Sequence, residues 1–312
     1  MAIAWFMLQI FNPIIAFGRK IKLSPAVNLI LVFIVFFGVC YIGIIFCTTQ
    51  IVEFDRIFTL YDSKLREMTV NIMNILQIPP EAAANINWMD ILVRYLRNIT
   101  ESIYTFISQI FLILIFFMFM LLEAPSLNNK IDMAFSGSTG AKVKNIMSSI
   151  TYEIGNYLGT LTLIGMATGV CVWIALAIMG VELAAGWAVL AFLLNYIPNV
   201  GAVISTILPV MMAVLQFSPG YVQPIIVLIL MSVIQFVSGN VIAPKILGDK
   251  LGLSPVVIML SLLIWGTMWG ITGAILSVPI ASIVKIICEN FPFLRPLAIL
   301  MGTGREKQLY KK

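Results

Sequence analysis

The chain has 312 residues, 61% of them hydrophobic and only 11% charged, with a mean hydropathy of +1.03. A soluble domain is roughly half apolar and a quarter charged, so this composition belongs in a membrane. The net charge of +5 comes from bases spread over loops and tail, which suits topology signalling and not a nucleic-acid surface. The absence of histidine removes histidine metal sites, histidine-based triads and histidine proton relays.

Met1 to Phe17 is a first apolar segment, barely long enough to span and without the charged start of a removable signal peptide. Arg19, Lys20 and Lys22 follow, and Ala26 to Cys47 is a clear second span. The short basic loop between them should be cytoplasmic, so residues 1–47 read as an N-terminal helix pair. From Thr48 to about Ser102 the pattern is amphipathic. Ile51, Phe54, Phe58, Tyr61, Leu65 and Met68 recur every three or four residues, as on one helix face. Pro79 and Pro80 end that helix, and another starts near Trp88. Acids outnumber bases over residues 48–102, which suits an outer, membrane-surface or subunit-packing arm. The N-x-T at Asn98 to Thr100 reads as a chance match.

Ile103 to Leu122 is the third span, and Lys130, Lys142 and Lys144 place the following loop inside. Leu158 to Met179 is the fourth. Gly155/Gly159 and Gly165/Gly169 are two small-residue pairs that let a neighbouring helix approach closely. Glu182 and Trp187 mark the outer interface. The four cysteines, Cys40, Cys47, Cys171 and Cys288, form no CxxC pair and read as small apolar residues.

The tract from Trp187 to Phe217 should be a plain spanning helix, yet it holds Asn195, Pro198, Asn199 and Gly201 in its middle. Proline removes a backbone donor, and asparagine and glycine favour turns. Backbone groups freed in hydrocarbon cost several kcal/mol each, so such a break lies against protein or a watery cavity. A second break repeats the first: Gly201-Ala202-Val203-Ile204-Ser205 matches Gly273-Ala274-Ile275-Leu276-Ser277, and Pro209 and Pro279 follow. Paired interrupted segments point to a transport site. If 187–217 and 255–287 are re-entrant hairpins and Pro224 to Val241 crosses, then Lys245, Lys250 and the basic tail 302–312 all fall inside, as the positive-inside rule asks. The expected fold is all-α and integral to the membrane: about five crossing helices, two Gly/Pro-broken hairpins within a transport core of residues 103–301, and an outer helical arm.

LLNYIPNVGAVISTILP (Leu193 to Pro209), GNVIAPKILGDKLGLSPVVIMLSLLIWG (Gly239 to Gly266) and GAILSVPIASIVKI (Gly273 to Ile286) resemble the autoinducer-2 exporter family of bacterial permeases. The resemblance extends more weakly over nearly the whole chain. It implies a multi-pass protein of the bacterial plasma membrane and a homo-oligomer. It also implies export of autoinducer-2, as in some members, or sodium or lithium/proton antiport, as in others. Members usually carry one more apolar segment ahead of the helix that Met1 to Asn12-Pro13 resembles. Many carry glutamate before the proline at Pro244, where this chain has Ala243. A carboxylate facing the membrane interior is the natural proton carrier, so its replacement weakens a proton-coupled mechanism.

The candidate site residues follow from side-chain chemistry. Asn195, Asn199, Asn240 and Gln235 offer neutral donors and acceptors. Ser205 and Ser277 occupy equivalent places in the two breaks, and Pro198 unwinds the first. Half-helix N-termini at Gly201 and Gly273 would present free N–H groups to anionic or oxygen-rich ligands. Carbonyls near Ile197 and Pro198 would hold a cation. Lys245 and Asp249 stand at the inner mouth, as a cytoplasmic ion pair or a gate. The leading expectation is a transporter of a small polar solute, with a monovalent cation/proton antiporter using Glu153 or Glu182 second. A non-transporting scaffold is third. With no acid pair in a span and no GxSxG motif, an enzyme is the least supported reading; no cofactor and no nucleic-acid partner are implied.

Overall fold

The structure, a computed structural model, describes residues 20–21, 25–75, 113–120, 122–123, 126–135, 137–247 and 252–304. The expected first span, the part of the outer arm beyond Ile75, the start of the third span, Asp249 and the tail beyond residue 304 lie outside the described residues.

Helix α1 (Pro25–Ile75) is continuous over 51 residues. At 1.5 Å per residue it is about 77 Å long, more than twice the roughly 30 Å of hydrocarbon. The span and the amphipathic stretch are therefore one rod, not two elements divided at residue 47. The reason is local. Thr48 and Thr49 look like a boundary, but their hydroxyls donate back to Ile45 and Phe46 carbonyls at 2.8 Å, within the helix. Helix α2 (Leu127–Ala134) leads into α3 (Ser138–Ile178), 41 residues long, of which the expected fourth span is the second half. An ion pair from Lys144 to Asp132 at 2.6 Å ties α2 to α3.

The first broken tract folds back on itself. Helix α4 (Ala184–Leu194) is followed by a turn and then by α5 (Val200–Phe217). The Gln216 side chain closes the open end of this hairpin. Its Nε2 donates to the Gly180 carbonyl at 2.8 Å, and its Oε1 accepts from the Glu182 N–H at 3.0 Å. The rod α1 holds the same end: the Tyr61 hydroxyl donates to Glu182 at 3.3 Å, and Lys64 Nζ reaches the Gln216 carbonyl at 3.4 Å. The hairpin is wedged into a core that joins Ile57 of α1, Val172 and Leu176 of α3, Ala188 of α4 and Met212 of α5. Of the glycine pairs, Gly165 and Gly169 serve close approach. A Cβ on Gly169 would stand 3.0 Å from the Ala188 carbonyl, whereas one on Gly159 would meet nothing within 4 Å.

Helix α6 (Val222–Phe236) passes directly into a π-helix (Val237–Ile242) and then α7 (Ala243–Leu247). The π-turn precedes Pro244, whose ring would collide with the carbonyl four residues back in a regular α-helix; one wider turn relieves the clash.

The last long element, α8 (Pro255–Asn290), is helical throughout except at Gly270, where φ is 62° and ψ −140°. In a straight helix residues 261 and 277 would be about 24 Å apart. Here the Ser261 hydroxyl donates to the Ser277 carbonyl at 2.7 Å. Gly270 therefore reverses the chain, and arms 255–269 and 271–290 lie antiparallel. Glycine is needed there because L side chains rarely adopt that φ. Lys285, only 4% exposed, closes the open end by donating to the Gly252 carbonyl at 2.9 Å and pairing with Glu289 at 3.4 Å. Helix α9 (Arg295–Met301) adds a bond from the Ser254 N–H to the Met301 carbonyl at 2.9 Å.

The two hairpins run along α3 in opposite directions. The first starts where α3 ends and carries its tip back to Leu161 and Thr162. In the second, Glu289 and Lys285 lie within electrostatic reach of Glu153, while Val278 and Ala281, nearer the tip, pack with Tyr157. Its second arm is therefore antiparallel to α3, and the two tips approach from opposite ends.

Candidate functional site

The equivalence of the two breaks is structural. A Cβ on Gly201 would lie 1.9 Å from the Leu194 carbonyl oxygen, and one on Gly273 would lie 1.8 Å from that of Trp265. Each glycine lets one hairpin arm rest on the backbone of the other. Ser205 and Ser277 are both buried, and each hydroxyl donates to the carbonyl three residues earlier, Ala202 and Ala274. Pro209 and Pro279 are both fully buried.

This geometry corrects the free N–H expected at Gly201. The Gly201 N–H donates to the Ile197 carbonyl at 3.0 Å, and the Val200 N–H to the Pro198 carbonyl at 2.6 Å. The Gly201 donor is therefore spent inside the turn, and the Ile197 and Pro198 carbonyls already accept bonds. The helical arm begins at Val200 in one hairpin and just after Gly270 in the other, so both glycines do lie in a first turn, where the Gly201 N–H is already bonded. Both are contact residues.

The turn of the first hairpin forms one wall of a cavity of about 240 Å³, room for about eight waters at their liquid volume. The cavity gathers Asn195, Pro198 and Asn199 from the turn, Ala202 from α5, Gln235 from α6, and Gly239, Asn240 and Ala243 from the π-turn and beyond. Ile197 of the turn and Tyr157, Leu161 and Ile164 of α3 complete it. No carboxylate and no ammonium is among these lining residues. Asn199 has φ 60° and ψ −51°, the centre of a positive-φ γ-turn closed by the Val200 N–H on the Pro198 carbonyl, a rare and strained conformation. It precedes α5 but makes no side-chain cap, so its amide is not consumed by the helix.

Hydrogen bonds hold the lining in place. Asn195 Nδ2 donates to the Leu161 carbonyl at 3.3 Å, and Gln235 Nε2 to Ser205 Oγ at 2.8 Å. The Tyr196 hydroxyl is 2.7 Å from that of Thr162, and buried Ser238 in the π-turn is 2.6 Å from Thr168 Oγ1. Helix α3 thus holds the turn directly, and α6 holds α5 just beyond it.

Of the residues singled out in the sequence, Asn195, Pro198, Asn199, Gln235 and Asn240 line one cavity, with Ser205 one bond behind Gln235. Gly201 braces the turn. Gly273 and Ser277 belong to the second hairpin and do not line the cavity. Lys245 is exposed on α7, away from the lining. Tyr157 and Gly239 were missed by the sequence reading. A tyrosine set beside the small residues that lead into a spanning segment, and a glycine directly before Asn-Val-Ile-Ala-Pro, were the available signals. Glu153 and Glu182, the carboxylates considered for proton carriage, both stand outside the lining.

Comparison with known proteins bears on what such a site is for. The sequence profile of the AI-2E family transporter matches residues 1–293. YhhT of Escherichia coli strain K12 is 32% identical over 312 residues, covering 98% of this chain and 88% of YhhT. The AI-2 transport protein TqsA of the same strain is 38% identical over 209 residues, covering 66% of this chain and 59% of TqsA. Long apolar helices, paired broken segments and these matches converge: the chain is an all-α integral membrane protein and belongs to the AI-2E transporter family.

Proposed function

We propose that this protein moves a small polar solute, autoinducer-2 among the candidates, across the bacterial plasma membrane through the cavity at the first hairpin's tip. The observation that carries the reading is the gathering of four neutral amide side chains, Asn195, Asn199, Gln235 and Asn240, at a helix break beside a π-turn. Irregular backbone within a membrane is tolerated only against protein or a water-filled cavity, and broken helices of transporters place their sites there. The name of TqsA supports the choice of solute. The two hairpins dip into the bilayer from opposite faces, the first from outside and the second from the cytoplasm, with the basic tail inside. The working unit is a homo-oligomer.

Antiport of sodium or lithium against protons is the weaker reading. Ala243, where many relatives of the resembled family carry glutamate, lines the cavity, so the place of a proton carrier on the path is taken by a methyl group. A scaffold role would leave the amides without purpose.

The test is flux of labelled autoinducer-2 in inverted vesicles. Asn195→Ala and Asn199→Ala should each lower it by about tenfold, the value of one lost charge-free contact set of ~1.4 kcal/mol, with the amount in the membrane unchanged. Undiminished flux in both variants would sink the assignment of this cavity.

A further inference from the structure

We infer that the cavity holds its solute through the solute's own hydrogen-bond donors, and that Pro244 supplies one of the receiving atoms by leaving the Gly239 carbonyl without a helical partner. The inference rests on the cavity being the solute site, and it fixes the polarity of that site.

The amide orientations are determined by their partners. Asn195 Nδ2 donates to the Leu161 carbonyl; a carbonyl only accepts, so the NH₂ end must face it and Oδ1 is the end left for the cavity. Ser205 Oγ spends its proton on the Ala202 carbonyl at 3.2 Å. It must therefore accept from Gln235, whose Nε2 lies 2.8 Å away, and Gln235 Oε1 is the free end. Neither oxygen accepts a hydrogen bond from any of the described residues.

Gly239 has no side chain, so its contact with the cavity is made by backbone. The Ala243 N–H donates five residues back, to the Ser238 carbonyl. The same spacing sets residue 244 against the Gly239 carbonyl, and residue 244 is a proline with no N–H to give. Three acceptors thus converge from three elements: the hairpin turn, α6 and the π-turn. Oriented acceptors of this kind repel an anion and reward hydroxyl or amine hydrogens. Asn199 and Asn240 can present either end and adapt to the remainder. The ligand class is a donor-rich, uncharged or cationic small molecule such as a polyol, and not a carboxylate or phosphate.

The experiment uses the full chain in lipid nanodiscs, with the four native cysteines replaced by serine and Ala202→Cys placing a thiol in the lining. The rate of maleimide modification reports occupancy. The probes are erythritol, its tetramethyl ether (acceptors without donors) and succinate (an anion of similar size). Erythritol should slow modification, while the ether and succinate at equal concentration should not. Pro244→Ala and Pro244→Leu return an N–H to the helix, so each should raise the erythritol concentration for half-protection by about five- to tenfold, the value of one hydrogen bond. Both variants are scored only where the unprotected thiol reacts at its usual rate, which shows the fold intact. Equal protection by ether or succinate, protection by none of the three, or unchanged half-protection in both Pro244 variants overturns the inference while leaving the cavity in place. A thiol that does not react at all removes the cavity reading itself.

Discussion

Gly201→Ala and Gly273→Ala probe the feature on which both hairpins depend. An added methyl would sit 1.9 Å from the Leu194 oxygen or 1.8 Å from the Trp265 oxygen, where ordinary contact is nearer 3.5 Å. The arms must then part by about 1.5 Å. Overpacking against movable side chains costs about 1–3 kcal/mol. Here the struck atom is a backbone carbonyl locked in a helix, so the cost falls at the upper end, about 3 kcal/mol, for each glycine. At roughly 2 °C per kcal/mol for a chain of this size, each substitution lowers Tm by about 6 °C. Thermal unfolding of the purified protein, followed by tryptophan fluorescence, reads this directly. Gly159→Ala and Gly266→Ala are the controls, since a Cβ at either meets nothing within 4 Å. The glycines lie in separate hairpins, so the double variant should lose the sum. Variants at 201 and 273 that melt with the controls would refute the close-packed arms.

Ser261→Cys combined with Ser277→Cys should be bridged within one chain by a short thiol-to-thiol crosslinker, because the Ser261 hydroxyl touches the Ser277 carbonyl at 2.7 Å; a straight α8 would hold the thiols about 24 Å apart, beyond its reach, so a failure to bridge them would refute the reversal. Lys285→Met should destabilise by about 1.5–3 kcal/mol, since a buried ammonium bonded to Gly252 is lost. Glu289→Gln should cost less, because the glutamine carbonyl can still accept from Lys285 and the bond to Gly252 is kept; chemical denaturation compares the two, and equal losses would contradict this division.

Much of the site was legible because its chemistry and its backbone breaks use the same residue types. Asparagine, proline and glycine inside an apolar tract are costly enough that their presence marks a purpose, and four residues so marked, Asn195, Pro198, Asn199 and Asn240, line the cavity. The repeat of Gly-Ala and serine was also visible, though its meaning was not. The glycines do stand in the first turns of their arms, but they also seat one arm on the other, a contact seven or eight residues apart that no local pattern encodes. The reversal at Gly270 was bounded but not placed, since Gly266, Gly270 and Gly273 all interrupt the tract and only the positive φ selects one. The continuity of α1 was hidden by Thr48 and Thr49, which are polar in composition yet satisfied within their own helix. The π-turn follows from Pro244, but its consequence for Gly239 appears only when the hydrogen-bond pattern is known.

On the proposed topology the two hairpins enter the membrane from opposite faces and α6 crosses between them. Gly220, at the open end of the first hairpin, and Lys245, beyond the π-turn, are both exposed and bracket that crossing. Single cysteines at the two positions, in a chain otherwise free of cysteine, are to be labelled with a membrane-impermeant maleimide in intact spheroplasts and then in inverted vesicles. On that topology Gly220→Cys labels only in spheroplasts and Lys245→Cys only in inverted vesicles. Labelling of Gly220→Cys from the cytoplasmic face alone would mean that the first broken tract crosses the bilayer once, and would contradict the inverted pair.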